Sequence, residues 1–236
     1  MFRTIVFSAF GAAIAVAVCV SLLQAFTTTP LILHAEEYEE AGSEQAAGWM
    51  AANAHQHEAT ATVDVDDEGW SPSDGVSRSV YTLVANTVIG FGTALMLLGL
   101  MVAKGDPIDL RHGLLWGVAG FFAASLLPSL GLPPELPGTP AADLTARQTW
   151  WFATVVASAG GIALAVFGRR WWMVAAGAAL LLLPHFIGAP QPVSHDVPYP
   201  GGLAGQFVAA ALVVSAATWM MAGAASGWLY RRLTSG

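Results

Sequence analysis

Six stretches of this chain contain no charged residue: 4–26, 80–102, 113–130, 150–167, 171–188 and 203–230. An α-helix rises about 1.5 Å per residue, so about 20 apolar residues cross a hydrocarbon core of roughly 30 Å. Inside lipid the backbone must satisfy its own hydrogen bonds, which leaves the helix as the form open to such segments. One stretch could be the buried helix of a soluble domain, but six in succession could not. They predict an all-α, polytopic membrane helical bundle with six transmembrane helices, one integral membrane domain over residues 1–236. Composition agrees, because 55% hydrophobic against 11% charged residues leaves too little polar surface to face water on all sides.

The first stretch has a basic start at Arg3, as a signal peptide does, yet the uncharged run continues to Leu33. That exceeds the roughly 7–15 residue apolar region of a signal. The segment is therefore expected to stay as a helix; cleavage would leave five. Loop cations then orient the bundle. With the N-terminus inside, Arg3, Lys104, Arg111, Arg169, Arg170, Arg231 and Arg232 are cytoplasmic, and only Arg78 and Arg147 lie outside. Both termini are expected in the cytoplasm, with the chain multi-pass in a bacterial-type inner (plasma) membrane and the lipid bilayer as its immediate partner. Of sixteen Asp and Glu, only Asp106 and Asp109 fall inside, so fourteen carboxylates face outward.

Several function classes drop out. A net charge of −7 opposes nucleic acid, which needs clustered cations. The one lysine, Lys104, sits between Ala103 and Gly105, so the phosphate-cradling G-x4-G-K-[ST] loop is absent. Cys19 is the one cysteine, and no disulfide can form within the chain. The six windows hold no carboxylate and no nucleophile–base pair is evident, which argues against an enzyme.

Self-comparison finds two similar helical hairpins, 80–138 and 150–192. Gly92, Ala94, Leu95 and Gly99 recur as Gly161, Ala163, Leu164 and Gly168. A second block, Trp116, Val118, Ala119, Ala123, Leu126, Leu127 and Pro128, recurs as Trp172, Val174, Ala175, Ala179, Leu182, Leu183 and Pro184. Each copy runs from outside to inside and back, a tandem repeat of the kind seen in parallel-repeat transporters. After the shared Leu-Leu-Pro, the first copy has Ser129 where the second has His185. A proline near a helix end frees backbone carbonyls, which are tolerated where water or protein meets them, so His185 is expected at an irregular, wet point.

The ligating side chains cluster on the outer side. If a helix continues past Pro30, His34 and Glu37 stand at i, i+3 and Glu36 and Glu40 at i, i+4, pairs that share a face. Imidazole with carboxylate suits cobalt, nickel or zinc. The bland alternative is a solvated acidic cap with an incidental histidine. Residues 41–78 read as a flexible acidic extracytoplasmic insertion, in which His55, His57 and Glu58 could capture metal weakly or simply be solvated. His195, beside Asp196, brings the histidines expected at the outer face, with His34 and His185, to three. The Pro-rich loop around Glu135 is expected to form a stiff lid, with Glu135 exposed or lining an entrance. His112, beside Arg111 on the inner side, is expected to be a solvated junction residue. Trp70, Trp150, Trp151, Trp171, Trp172 and Trp228 are expected as belt anchors, and Gly223 and Gly227 as a close helix contact.

The segments 29–39, 116–138 with its Leu-Pro-Pro-Glu-Leu-Pro-Gly end, Arg147-Gln148-Thr149-Trp150-Trp151, and 183–190 with Leu-Pro-His-Phe-Ile-Gly-Ala-Pro resemble those of the CbtA family, predicted cobalt transporter subunits. The resemblance spreads over almost the whole chain apart from the acidic insertion. It implies an integral inner-membrane protein of cobalt uptake connected with cobalamin supply, with Co²⁺ as transported or bound ion and no resident cofactor. It also implies a small single-helix partner with a histidine-rich tail, the CbtB-like subunit. Five spans are often ascribed to the family, whereas the charge sorting favours six. Two functions remain in view: a subunit for Co²⁺ uptake using outer His and Glu as entrance ligands, or a non-transporting membrane accessory that binds or loads metal for another carrier.

Overall fold

The computed structural model describes residues 2–53, 75–105 and 107–235, with 43–53 described by their backbone alone. The helices are α1 (Phe2–Phe26), α2 (Thr28–Asn53), α3 (Val76–Lys104), α4 (Leu110–Ser129), α5 (Leu144–Phe167), α6 (Trp171–Ile187) and α7 (Gly201–Ser235). All six uncharged stretches are helical, and no strand occurs among the described residues. Five of these helices, α1, α3, α4, α5 and α7, are long and apolar enough to cross a membrane. The sixth, α6, has 17 residues and extends about 26 Å, a little less than a hydrocarbon core. The protein is an all-α polytopic membrane protein.

Small residues set the packing, because lipid tails give helices no hydrophobic reason to associate and close backbone approach supplies the contact energy instead. On α4 and α7, Gly117 faces the Trp219 carbonyl and Gly227 faces that of Asp109, with added Cβ atoms falling only 2.5 and 2.2 Å from those oxygens. The expected Gly223/Gly227 contact is thus made, against α4. On α1 and α3, Gly90 lies on Val16. There the buried Asn86 donates to Ser21 Oγ at 2.9 Å and Gln24 Oε1 at 2.6 Å. The central core is Ala9, Ala12, Val16 and Val20 of α1 with Leu98 and Met101 of α3 and Val214 and Ala222 of α7.

The two hairpins matched in sequence are packed differently. In the second, α5 and α6 touch through Gly161 and Gly177, whose added Cβ atoms would stand 2.7 and 2.6 Å from the opposite carbonyl oxygen. Gly92, the counterpart of Gly161, has nothing within 4 Å of such an atom. In the first copy α3 lies chiefly on α1, and α4 chiefly on α7.

These antiparallel pairings put both described termini at one end of the bundle, with Lys104, Arg111, Arg169 and Arg170. The acidic residues of α2 and the Pro-rich loop occupy the other. At the first end Lys104 Nζ sits 4.4 Å from the Phe167 ring centroid. The backbone N–H and Nδ1 of His112 lie 2.9 and 3.0 Å from Asp109 Oδ1. Asp109 is the N-cap of α4, and the His112 N–H bond above all holds its carboxyl below the ordinary value of 3.8. His112 is therefore engaged by the cap and not merely solvated.

Candidate functional site

At the acid-rich end, α2 starts one residue after α1. Pro30 lies in its first turn, where a missing N–H costs no helical bond. Ala35 is fully buried against Leu136, Tyr199 and Leu203, so α2 lies on the loops that precede α5 and α7. This seat decides which side chains are available. His34 and Glu37 are exposed, while Glu36 is half-buried and takes both its oxygens, at 3.2 and 3.1 Å, to Arg78 of α3. Glu40 is exposed but has a contact of its own. His34 packs on Tyr38 with ring centroids 5.3 Å apart. The helix continues to Asn53, beyond the start of the stretch expected to be flexible. His55, His57, Glu58 and Trp70 lie outside the described residues.

His185 is half-buried near the end of α6, one residue after the buried Pro184. Its Nδ1 is 3.0 Å from the Leu181 carbonyl oxygen and its Nε2 3.0 Å from that of Leu127 on α4. Each nitrogen therefore lies against a carbonyl oxygen, and because the neutral ring carries one N–H, one of the two contacts is its hydrogen bond; a metal could reach either nitrogen only by displacing a carbonyl. The ring ties α6 to α4. Trp150 meets it edge-on with centroids 6.1 Å apart and donates from Nε1 to the Pro184 carbonyl at 3.3 Å. Trp150 is thus a buried member of this junction and not the interfacial anchor expected of it, whereas Trp151, Trp171, Trp172 and Trp228 remain exposed. His195 stands exposed on the loop before α7, next to an Asp196 that bonds Ser194. Among the described residues no three His, Cys, Asp or Glu side chains come together as a metal-holding group. The described candidate ligands share an end of the bundle without sharing a site.

The irregular backbone falls in the first repeat copy. Residues Phe122–Leu126 of α4 form a π turn, with the Leu127 N–H reaching back to Phe122. Pro128 follows and brings no N–H of its own. Two carbonyls of this stretch also meet side chains: Ser129 Oγ donates to Ser125 O at 2.7 Å, and His185 Nε2 lies 3.0 Å from Leu127 O. Beside the turn opens a cavity of about 410 Å³, whose polar lining is Ser125, Ser129, Ser215, Glu135 and Arg147. Ser125 Oγ receives Ser215 Oγ at 2.7 Å and Trp219 Nε1 at 3.1 Å, both from α7. At its rim Arg147 Nη2 donates to Glu135 Oε2 at 2.8 Å. Glu135 is accordingly half-buried and lines the cavity. A wider cleft of about 730 Å³ between α5 and α6 has Asp143 as its one charged lining residue and offers less to an ion.

Sequence reading missed the hydroxyl residues. Their signal was present as two i, i+4 pairs inside uncharged windows, Ser125 with Ser129 around a proline and Ser215 with Trp219. Isolated serines in a spanning helix commonly bond their own backbone, so the pairs stand out only once α4 and α7 are placed face to face.

The family described as probable cobalt transporter subunit (CbtA) matches residues 2–231. No curated protein and no solved structure matches the chain.

Proposed function

Because the chain belongs to the CbtA family of probable cobalt transporter subunits, we propose that it takes up divalent cobalt through its acid-rich end, which faces outward across the inner membrane. The observation that supports this reading is His34 and Glu37, exposed one helical turn apart on a helix seated at that end. Fourteen carboxylates on the outer side raise the local concentration of divalent cations. With no three-ligand cage among the described residues, the arriving ion keeps most of its water. That suits an entrance, where binding must be weak enough to release the ion inward. A small single-helix subunit with a histidine-rich tail is the proposed partner, and cobalamin supply the proposed use of the metal.

Cobalt accumulation in cells expressing the triple variant His34→Ala, Glu37→Gln, Glu40→Gln tests the entrance. Uptake at limiting cobalt should fall several-fold while the maximal rate is kept, as lost capture affects occupancy and not the later steps. Unchanged uptake at equal expression rejects the entrance. The alternative, a non-transporting accessory that loads another carrier, is favoured by the absence of carboxylates from the six spanning stretches. Purified protein in liposomes separates the two: the accessory binds Co²⁺ without moving it.

A further inference from the structure

We propose that the cavity beside the π turn of α4 is a binding site for a hydrated divalent cation, with Ser129, Ser215 and Glu135 as oxygen ligands and Arg147 as the resident cation that the ion displaces. The proposal rests on the reading of the chain as a carrier of such an ion and adds the place where the ion is held.

The first argument is cost. Polar side chains in a spanning bundle are expensive unless they face protein partners or a water-filled space. Ser125, Ser129 and Ser215 line one cavity of about 410 Å³, large and polar enough to hold several waters. The second is the state of each hydroxyl. Ser129 gives its proton to Ser125 O, and Ser215 gives its proton to Ser125 Oγ. A hydroxyl that has donated retains its lone pairs, so both remain as acceptors at the cavity wall, the side a cation needs. Ser125 itself takes the bonds of Ser215 and Trp219 and serves as the hub that orients them. The third is charge. Glu135 is the one carboxylate of the lining, and Arg147 neutralises it at 2.8 Å. A doubly charged ion attracts that carboxylate more strongly than a singly charged guanidinium at like distance, so it competes for Glu135 and drives Arg147 away. All-oxygen ligation with retained water fits six-coordinate divalent cations in general, Co²⁺ among them, without strong preference. The space lies beside the π turn of α4, in keeping with the frequent occurrence of such turns at functional sites.

The test uses Cys19→Ser protein, which has no other cysteine, with Ala211→Cys as a reporter on the cavity wall, purified in nanodiscs. A charged thiol reagent should label Cys at position 211, and Co²⁺ should slow that labelling. Glu135→Gln should raise the protecting Co²⁺ concentration about tenfold, whereas Arg147→Gln should lower it. Opposite shifts are the signature, since a merely structural ion pair would make both substitutions act alike. Ser215→Ala, which leaves the ion pair intact, should raise it about threefold or more and serves if either charge variant fails to fold. No labelling, labelling without protection, or shifts of the same sign overturn the proposal. Because the assay needs no flux, protection in a protein that moves no cobalt would leave this site standing and reject the transport reading. Uptake without protection would do the reverse.

Discussion

Gly113 and Gly223 meet backbone to backbone: a Cβ added to either would stand 2.1 Å from the carbonyl oxygen of the other. Real Cβ atoms never come so close, so α4 and α7 must separate to admit any side chain there. Gly113→Ala or Gly223→Ala is expected to lower apparent thermal stability in detergent, with a cost of about 1–3 kcal/mol. Gly92→Ala, where the added atom meets nothing within 4 Å, is expected to be neutral or stabilising by up to about 1 kcal/mol, because alanine is the better helix former. A Gly113→Ala protein that melts like the parent would show that this contact does not hold the helices.

The two carbonyl partners of His185 make a second prediction. His185→Ala removes the ring that bridges the Leu181 carbonyl of α6 and the Leu127 carbonyl of α4, at about 0.6–1.7 kcal/mol if the N–H is the one shared between the spanning helices. The melting point of the purified protein should fall, while its Co²⁺ binding per chain at saturating metal stays the same. Loss of one bound Co²⁺ at unchanged stability would instead make His185 a ligand.

Asp109 provides a pH-dependent prediction at the opposite end. Its carboxyl is held below the ordinary value of 3.8 by the His112 backbone N–H first of all. A lowered folded-state value means that the charged group stabilises the fold above about 3.8 and that this contribution is lost as the pH falls through the still lower folded value. Asp109→Ala should cost about 1 kcal/mol near pH 6, the usual worth of an N-cap, and Asp109→Asn much less. The gap between parent and Asp109→Ala should close below pH 3.8. A gap independent of pH would show that the charge of the Asp109 carboxylate contributes nothing to the fold.

Hydropathy alone revealed the spanning helices, since a run without charge has few alternatives to helix in lipid. The Gly223/Gly227 contact was legible for a similar reason, because small residues four apart form a groove wherever they occur on a helix. What stayed hidden depends on partners far away in the chain. Trp150 looked like an interfacial anchor until Pro184 and His185 were placed beside it. His185 looked like a ligand because its sequence neighbours say nothing of Leu127, 58 residues earlier. Sequence context makes Glu135 an exposed or entrance carboxylate and Arg147 an outer cation, and their pairing at a cavity rim emerges only from the fold. The repeat was visible as matched tryptophans and prolines, yet not the different use of Gly92 and Gly161.

Whether the chain carries Co²⁺ inward from its acid-rich end is decided by the initial rate of radiolabelled Co²⁺ accumulation in intact cells. Cells expressing the chain should exceed the empty-vector rate, and the His34, Glu37, Glu40 triple variant should return limiting-cobalt uptake toward that baseline at equal expression. A rate at baseline for the unaltered chain, with Co²⁺ still binding to the purified protein, would contradict inward transport and leave a membrane metal-binding accessory in its place.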